Sequence, residues 1–262
     1  MIDHVISNGQ LTASFYDEVT APDSFPDEAA EWLLSTIGPE RTSILDLGVG
    51  TGRVLSRIAR SLQRDKVLTR YRLHGVDISP EMIAQARSKP ELAGVTFTID
   101  DVRSVCLSEQ YSAVICLGNT LGMSLEDNAL TEIFKTAARH LDSAGLFIVD
   151  FQNPVALDSL FTEASVVSSF EQNDSNEASG IVQFFSRPTE RLFRINQHWI
   201  VKDEVTSFVE EISLYPAEQV REVAESCGFN LVDAYGDYLG SPLIETASFM
   251  NVLVFRYEPS TI

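Results

Sequence analysis

The chain has 262 residues, 44% of them hydrophobic, with 38 acids against 19 bases and a formal net charge of -19. That length and apolar content suit one generous α/β unit carrying an elaboration, and they exclude a disordered or collagen-like chain. So acidic a surface repels a phosphate backbone, which argues against nucleic acid as a partner; it serves solubility or favours a cationic or amine substrate.

No apolar run approaches the roughly 18 to 20 residues needed to span a bilayer, so no membrane partner is expected. The opening Met-Ile-Asp-His-Val-Ile-Ser-Asn has neither the basic nor the apolar region of a signal peptide, and the expected location is cytoplasmic. Cys106, Cys116 and Cys227 are scattered in apolar sequence and read as reduced core thiols. His4, His74, His140 and His198 show no ligand spacing with cysteine or acid, so no metal is expected.

Residues 10–37 carry two expected helices, the second from about Pro26 to Ile37 with Asp23 or Ser24 available as its cap. Ser43 to Leu47 is a short buried strand, and Arg53 to Arg60 restarts with helical spacing of Val54, Leu55, Ile58 and Ala59. Gly48, Gly50 and Gly52 form the turn between them. Glycines let a ligand lie against the backbone and supply dihedrals that a side chain forbids, while the free amides of the helix start face the ligand.

A dinucleotide fingerprint places its third glycine three residues after its second. Here the pattern is Gly-x-Gly-x-Gly led by Asp46, which conflicts with a nicotinamide-dependent oxidoreductase. It resembles motif I of the class I S-adenosylmethionine-dependent methyltransferases, in which the acid and glycines hold the amino-acid end of the cofactor. The resemblance gives Ser14-Phe15-Tyr16-Asp17 a place at the front of the fold, closing over the cofactor, with an aromatic core anchor as the alternative for Phe15 and Tyr16.

Tyr71 to Asp77 is a second strand ending in an acid, and Ser79, Pro80 and Glu81 open the next helix as cap, first residue and first-turn acid. An acid there can accept from both ribose hydroxyls of an adenosine ligand. Val-Asp77-Ile78-Ser-Pro-Glu-Met82 resembles motif II of the same family, which implies cofactor contacts for Asp77, Ile78 and Met82. A third strand, Val95 to Ile99, runs into Asp100-Asp101-Val102-Arg103. On the family's Phe-x-x-Gly-Asp-Met-Arg, Asp101 stands for the acid that accepts from adenine and Val102 offers its amide. Asp100 replaces the glycine, and which acid points inward is open.

Tyr111 to Leu117 is a buried fourth strand leading into Gly118-Asn119-Thr120-Leu121-Gly122. Cys-Leu117-Gly118-Asn119-Thr is similar to the Leu-Gly-Asn-Ser of glycine N-methyltransferases and related small-molecule enzymes, and the resemblance places Leu117 and Gly118 against the cofactor. Asn119 either orients an amine, carboxylate or hydroxyl or is a turn residue tolerating a left-handed conformation. Asp127 to Leu141 is an amphipathic helix and Gly145 to Phe151 a fifth strand.

From Ser165 the pattern changes. Glu171 to Ser179 has loop composition, then three strands follow, Ile181 to Ser186, Leu192 to Val201 and Val205 to Leu214, a β-meander. The parent pattern returns with a helix from Pro216, a strand Phe229 to Tyr235 and a last strand Phe249 to Tyr257. Along Leu192 to Val201, Phe193, Ile195, Trp199 and Val201 share one face and Arg194, Asn196 and His198 the other. Either the apolar face packs on the core and the polar face meets water, or the polar face closes over the acceptor, His198 taking a proton and Arg194 pairing with a carboxylate.

The expected fold is thus α/β: a Rossmann-like, seven-stranded, mostly parallel sheet with helices on both faces and an antiparallel last strand. Residues 1–160 and 216–262 form its core, and 161–215 a β-rich cap over the substrate site. The resemblance implies methylation of a small molecule from S-adenosylmethionine, at an amine or amino acid or, alternatively, at a natural-product or sugar hydroxyl. A protein that binds the cofactor without transferring methyl is the reading from another class. A homodimer is allowed.

Overall fold

The computed structural model describes residues 16–17, 25–160, 166–172, 178–201 and 204–259, with the backbone alone at 158–160, 166–172, 178–183, 199–201, 204, 206 and 208. Of the first expected helix, Tyr16 and Asp17 are described and are helical. Helix α1, Asp27–Ile37, starts behind Pro26 without a side-chain cap; Asp23 and Ser24 lie outside the described residues.

Strand and helix then alternate. Strand β1 (Ser43–Leu47) feeds α2 (Arg53–Arg64), β2 (Arg72–Asp77) feeds α3 (Pro80–Ser88), and β3 (Thr96–Ile99) follows. Strand β4 (Tyr111–Cys116) leads through the single turn α4 (Thr120–Met123) to α5 (Ala129–His140), and β5 (Leu141–Gln152) to α6 (Pro154–Leu160). Ser79 caps α3 as its sequence requires, its Oγ accepting from the Met82 amide at 3.2 Å, with Pro80 in the first position.

After a second sheet, α7 (Ala217–Ser226), β10 (Phe229–Tyr235) and β11 (Met250–Tyr257) complete the first, in the order β10-β11-β5-β4-β1-β2-β3. Strands β1 to β5 run parallel, and β11 lies antiparallel between β5 and β10. The order reverses between β1 and β4, which places a crevice at their carboxyl ends.

Because side chains alternate across a strand, the central strands carry two apolar sets. Ile44, Ala113, Ile115, Ile148 and Val254 face α1 and α2, while Leu45, Val114, Phe147, Val149 and Phe255 face α5 and α7. Phe134 of α5 sits edge-on to Phe147, Phe229 and Phe255, with centroids 5.0, 5.6 and 5.5 Å away. Among the described residues no helix is long and apolar enough to cross a membrane. Of the three cysteines, expected as core thiols, Cys116 is buried but Cys106 is exposed; none is disulfide-bonded.

The second sheet has four antiparallel strands, β6 (Val166–Gln172), β7 (Ala178–Thr189), β8 (Leu192–Val201) and β9 (Glu204–Ser213), one more than the expected meander. The additional β6 pairs along its length with β7, so Glu171 and Gln172 are strand, and only 173–177 of the expected loop lie outside the described residues. Polar composition concealed this, because an edge strand needs no apolar face to complete its ladder. A small core of Leu157, Phe193, Ile195, Ile212 and Leu214 fastens β8 and β9 to the rest of the chain.

Removing the Phe134 ring leaves a cavity against three other rings. Phe134→Ala should lower unfolding stability by about 3–5 kcal/mol, read from denaturant titrations.

Candidate active site

Three glycines follow β1, all with positive φ: +85° at Gly48, +53° at Gly50 and +76° at Gly52. They differ in what a side chain would meet. A Cβ on Gly48 would collide with Thr120, and one on Gly52 would lie 2.7 Å from Leu92 Cδ1. A Cβ on Gly50 meets nothing within 4 Å, and the same holds at Gly118 after β4, where φ is +74°. Gly48 and Gly52 therefore serve internal packing as well as the turn, which corrects the expectation that all three glycines admit a ligand. Gly50 and Gly118 face open space on either side of the crevice, and there a ligand can lie directly on the backbone.

Three strands end in buried or part-buried acids. Asp46 of β1 is 2% exposed; burial, then the Asp77 and Asp150 carboxylates, push its pKa well above the usual 3.8. Asp77 of β2 accepts from the Gly50 amide at 2.7 Å and from Ser79 N at 2.9 Å, so it ties the glycine turn to the start of α3. Burial raises its pKa, and these amides oppose the rise. Asp150 of β5 accepts from Gly118 N at 3.1 Å, from Asn119 N at 2.8 Å and from the Tyr238 hydroxyl. It too is raised by burial and held back by those donors.

Asp101 is turned toward Arg103, whose Nε lies 3.0 Å from each carboxylate oxygen and whose Nη2 lies 2.6 Å from Oδ2; Glu126 completes the ion pair. Arg103 holds the Asp101 carboxyl below its usual range. Asp100 is exposed and accepts from the Asp101 amide at 2.7 Å. Val102 is buried. At the ends of β2 and β3 two aliphatic side chains face solvent, Ile78 at 37% and Ile99 at 47% exposure, and Met82 is half-buried nearby in sequence on α3.

Beside the crevice lies a cavity of about 140 Å³ lined by Arg53, Gly118, Asn119, Asp150, Phe151, Gln152, Tyr238 and Met250. Asn119 takes the left-handed conformation at φ 63°, and its Oδ1 accepts from Gln152 N at 3.4 Å. The Oε1 of Gln152 is buried with no hydrogen-bond partner among the described residues. Tyr238 packs edge-on against Phe25, and Arg53 stands 6.0 Å from the Tyr16 ring. Leu117 is buried behind the Gly118 turn.

Residues 44–145 match the family described as a methyltransferase domain. The chain therefore carries an S-adenosylmethionine-dependent methyltransferase domain over these residues. It is 26% identical over 232 residues to the Bacillus subtilis (strain 168) protein named "Putative methyltransferase YqeM", covering 86% of this chain and 88% of that one. It is 26% identical over 112 residues, 43% of each chain, to a Streptomyces venezuelae dTDP-3-amino-3,4,6-trideoxy-alpha-D-glucopyranose N,N-dimethyltransferase. The structure of the CcbJ methyltransferase from Streptomyces caelestis superposes with a TM-score of 0.77 at 21% identity, covering 97% of this chain and 98% of that one.

The methyltransferase's second sheet separates its polar groups by face. Phe193, Ile195 and Gln197 are buried on β8, while Arg194, Asn196 and His198 lie on the opposite face; the side chains of Trp199 and Val201 are outside the described residues. Arg194 is bound to Glu211 across the ladder, Nε to Oε1 at 2.8 Å, and His198 Nδ1 is 2.7 Å from Ser207 Oγ. Neither lines the cavity that Asn119 lines. The expected grouping of Arg194 and His198 with Asn119 is thus not made, because the apolar residues that alternate with them take the inward face.

That inward face holds a pair sequence reasoning missed: Gln197 Nε2 donates to Glu210 Oε2 at 2.6 Å. Also missed were Asp150, Gln152, Tyr238 and Arg53. Asp150 alone had a readable signal, being the third acid near the end of a buried strand after Asp46 and Asp77.

Because the folded Asp46 carboxyl holds its proton more tightly than the unfolded one, its cost to folding is absent below its ordinary pKa and grows as pH rises through the folded value. Asp46→Asn should therefore raise the melting temperature more at about pH 8 than at about pH 4, by calorimetry.

Proposed function

We propose that this methyltransferase acts on a nitrogen of a small molecule, with the acceptor seated in the cavity of Asn119, Gln152 and Tyr238 and the sheet of β6 to β9 capping it. In this reading residues 1–160 and 216–262 form the cofactor-binding core and 161–215 the cap. The open backbone at Gly50 and Gly118, with Asp46 below, takes the amino-acid end of the cofactor, and Asp77 takes the ribose hydroxyls. Ile78, Ile99 and Met82 flank the adenine, Val102 offers its amide, and Leu117 backs the Gly118 turn. Asp101, engaged by Arg103, shapes this end, and Tyr16 closes the front with Arg53.

S-Adenosylmethionine supplies an electrophilic methyl group. The protein's part is then placement and exclusion of water. Gln152 supports an acceptor that carries a donor: its buried amide oxygen, without a partner among the described residues, calls for one. An N–H of an amine supplies it while leaving the nitrogen pair free, though a hydroxyl could donate there as well. The Streptomyces venezuelae relative, named for the dimethylation of an amino sugar, agrees with the choice of nitrogen.

The deciding experiment incubates the protein with labelled cofactor and matched pairs of small amines, amino acids and amino-sugar nucleotides beside their hydroxyl counterparts. Label should pass to the amines; transfer to the hydroxyl members alone overturns the reading. Asp77→Ala should weaken cofactor binding by about 1–3 kcal/mol in calorimetry. His198→Ala and Arg194→Ala should leave turnover unchanged, since both side chains are spent on the outer face.

A further inference from the structure

Asp46, Asp77 and Asp150 are deeply set or saturated by amides, and Glu211 is taken by Arg194. Glu210 differs. It lies on the inward face of β9, opposite Ile195 and two residues from Ile212, which pairs with Phe193. Among the described residues its one hydrogen-bond donor is the neutral Gln197 amide, and no cation pairs with it. A half-buried carboxylate on an inward face, held in place by a neutral donor, keeps acceptor positions for a further donor.

Two independent contacts bring the inward face of β9 onto the turn that carries Asn119. Ile212 and Asn119 converge on Gly122: a Cβ there would lie 2.7 Å from Ile212 Cγ2 and 2.8 Å from Asn119 Oδ1. Ser213 Oγ also donates to Ser124 O at 3.2 Å, so β9 is fixed on the turn that carries Asn119. Glu210 stands about 7 Å further along the same face. Its charge also acts on the Tyr16 hydroxyl, and Arg53, 6.0 Å from the Tyr16 ring, lines the cavity. Glu210 therefore lies on the inward face of the strand that packs on the Asn119 turn, with its charge felt at Tyr16.

We infer that Glu210, oriented by Gln197, meets the acceptor's ammonium group and takes its proton. The inference rests on the reading of the acceptor as an amine. Simple amines reach the protein protonated, without a free pair. In the step assigned to Glu210 one ammonium N–H bond breaks, an O–H bond forms on the carboxylate, and nitrogen keeps the electron pair it needs as a nucleophile. Burial raises the Glu210 pKa and so makes the carboxylate a better proton acceptor. Gln197 from β8 touches it, and its charge is felt at Tyr16, which also lies in the field of Arg53, Asp17 and Asp77.

The test uses Glu210→Gln, an isostere, in the full chain, with the best amine from the acceptor panel as probe. At near-neutral pH its kcat/KM for that amine should fall by roughly 100-fold, the deficit narrowing as pH rises toward the amine's own pKa. Calorimetry on protein saturated with S-adenosylhomocysteine should show amine affinity weakened by about tenfold and the affinity for S-adenosylhomocysteine itself unchanged. Glu210→Asp, which keeps the charge, should recover part of both. If amines are methylated and Glu210→Gln matches wild type in rate, pH profile and amine affinity, the assignment of Glu210 falls while the nitrogen reading stands. If no amine is methylated by the wild type, the nitrogen reading falls and takes Glu210 with it.

Discussion

The carboxylates at the strand ends govern the rest of the site. An acid removed from water must be neutralised or given donors, and the donors nearest a strand end are the amides of the following turn. Asp77 takes the amides of Gly50 and Ser79, and Asp150 those of Gly118 and Asn119 together with the Tyr238 hydroxyl. Each acid thereby fixes a loop it does not belong to. Asp77 joins the turn after β1 to the helix after β2, and Asp150 holds the turn after β4 from the end of β5. Through Tyr238 and Phe25 the same network reaches α1.

The two open glycines follow from this arrangement. Gly50 and Gly118 present backbone to the crevice because their amides are anchored to acids at neighbouring strand ends, which holds positive φ in turns that would otherwise be loose. Gly48 and Gly52 face Thr120 and Leu92, so the tightness of the turn comes from packing and its openness from one position alone. The open crevice is in this sense a by-product of how the sheet terminates its central strands.

The second sheet is organised by a different rule. Its ladder carries strict alternation, and the apolar members Phe193, Ile195 and Ile212 had to turn inward to cover α4 and α6. That choice sends Arg194 and His198 outward and Gln197 and Glu210 inward, although all four are polar. The inward pair is joined by the bond from Gln197 Nε2 to Glu210 Oε2, which leaves the carboxylate with acceptor positions to spare.

Much was legible in the chain alone. The strands β1, β2 and β4, the glycine spacing, the acids Asp46 and Asp77 and the cap of α3 follow from local chemistry: periodicity, dihedral need and capping act over a few residues and leave their mark in order along the sequence. By contrast β5, Leu141–Gln152, and β7, Ala178–Thr189, run longer than their expected spans. The antiparallel last strand came from the resemblance, and the structure has it in β11. What only the tertiary structure decided are relations between distant residues. That Asp150 grips Gly118, that Tyr238 reaches Asp150 over 88 residues of chain, that Asp101 is spent on Arg103, and that Glu210 lies inward near Tyr16 have no periodicity to betray them. Alternation along β8 showed that one face is polar, but a period of two assigns residues to faces without saying which face meets the core; that was settled by which side chains had a surface to bury against.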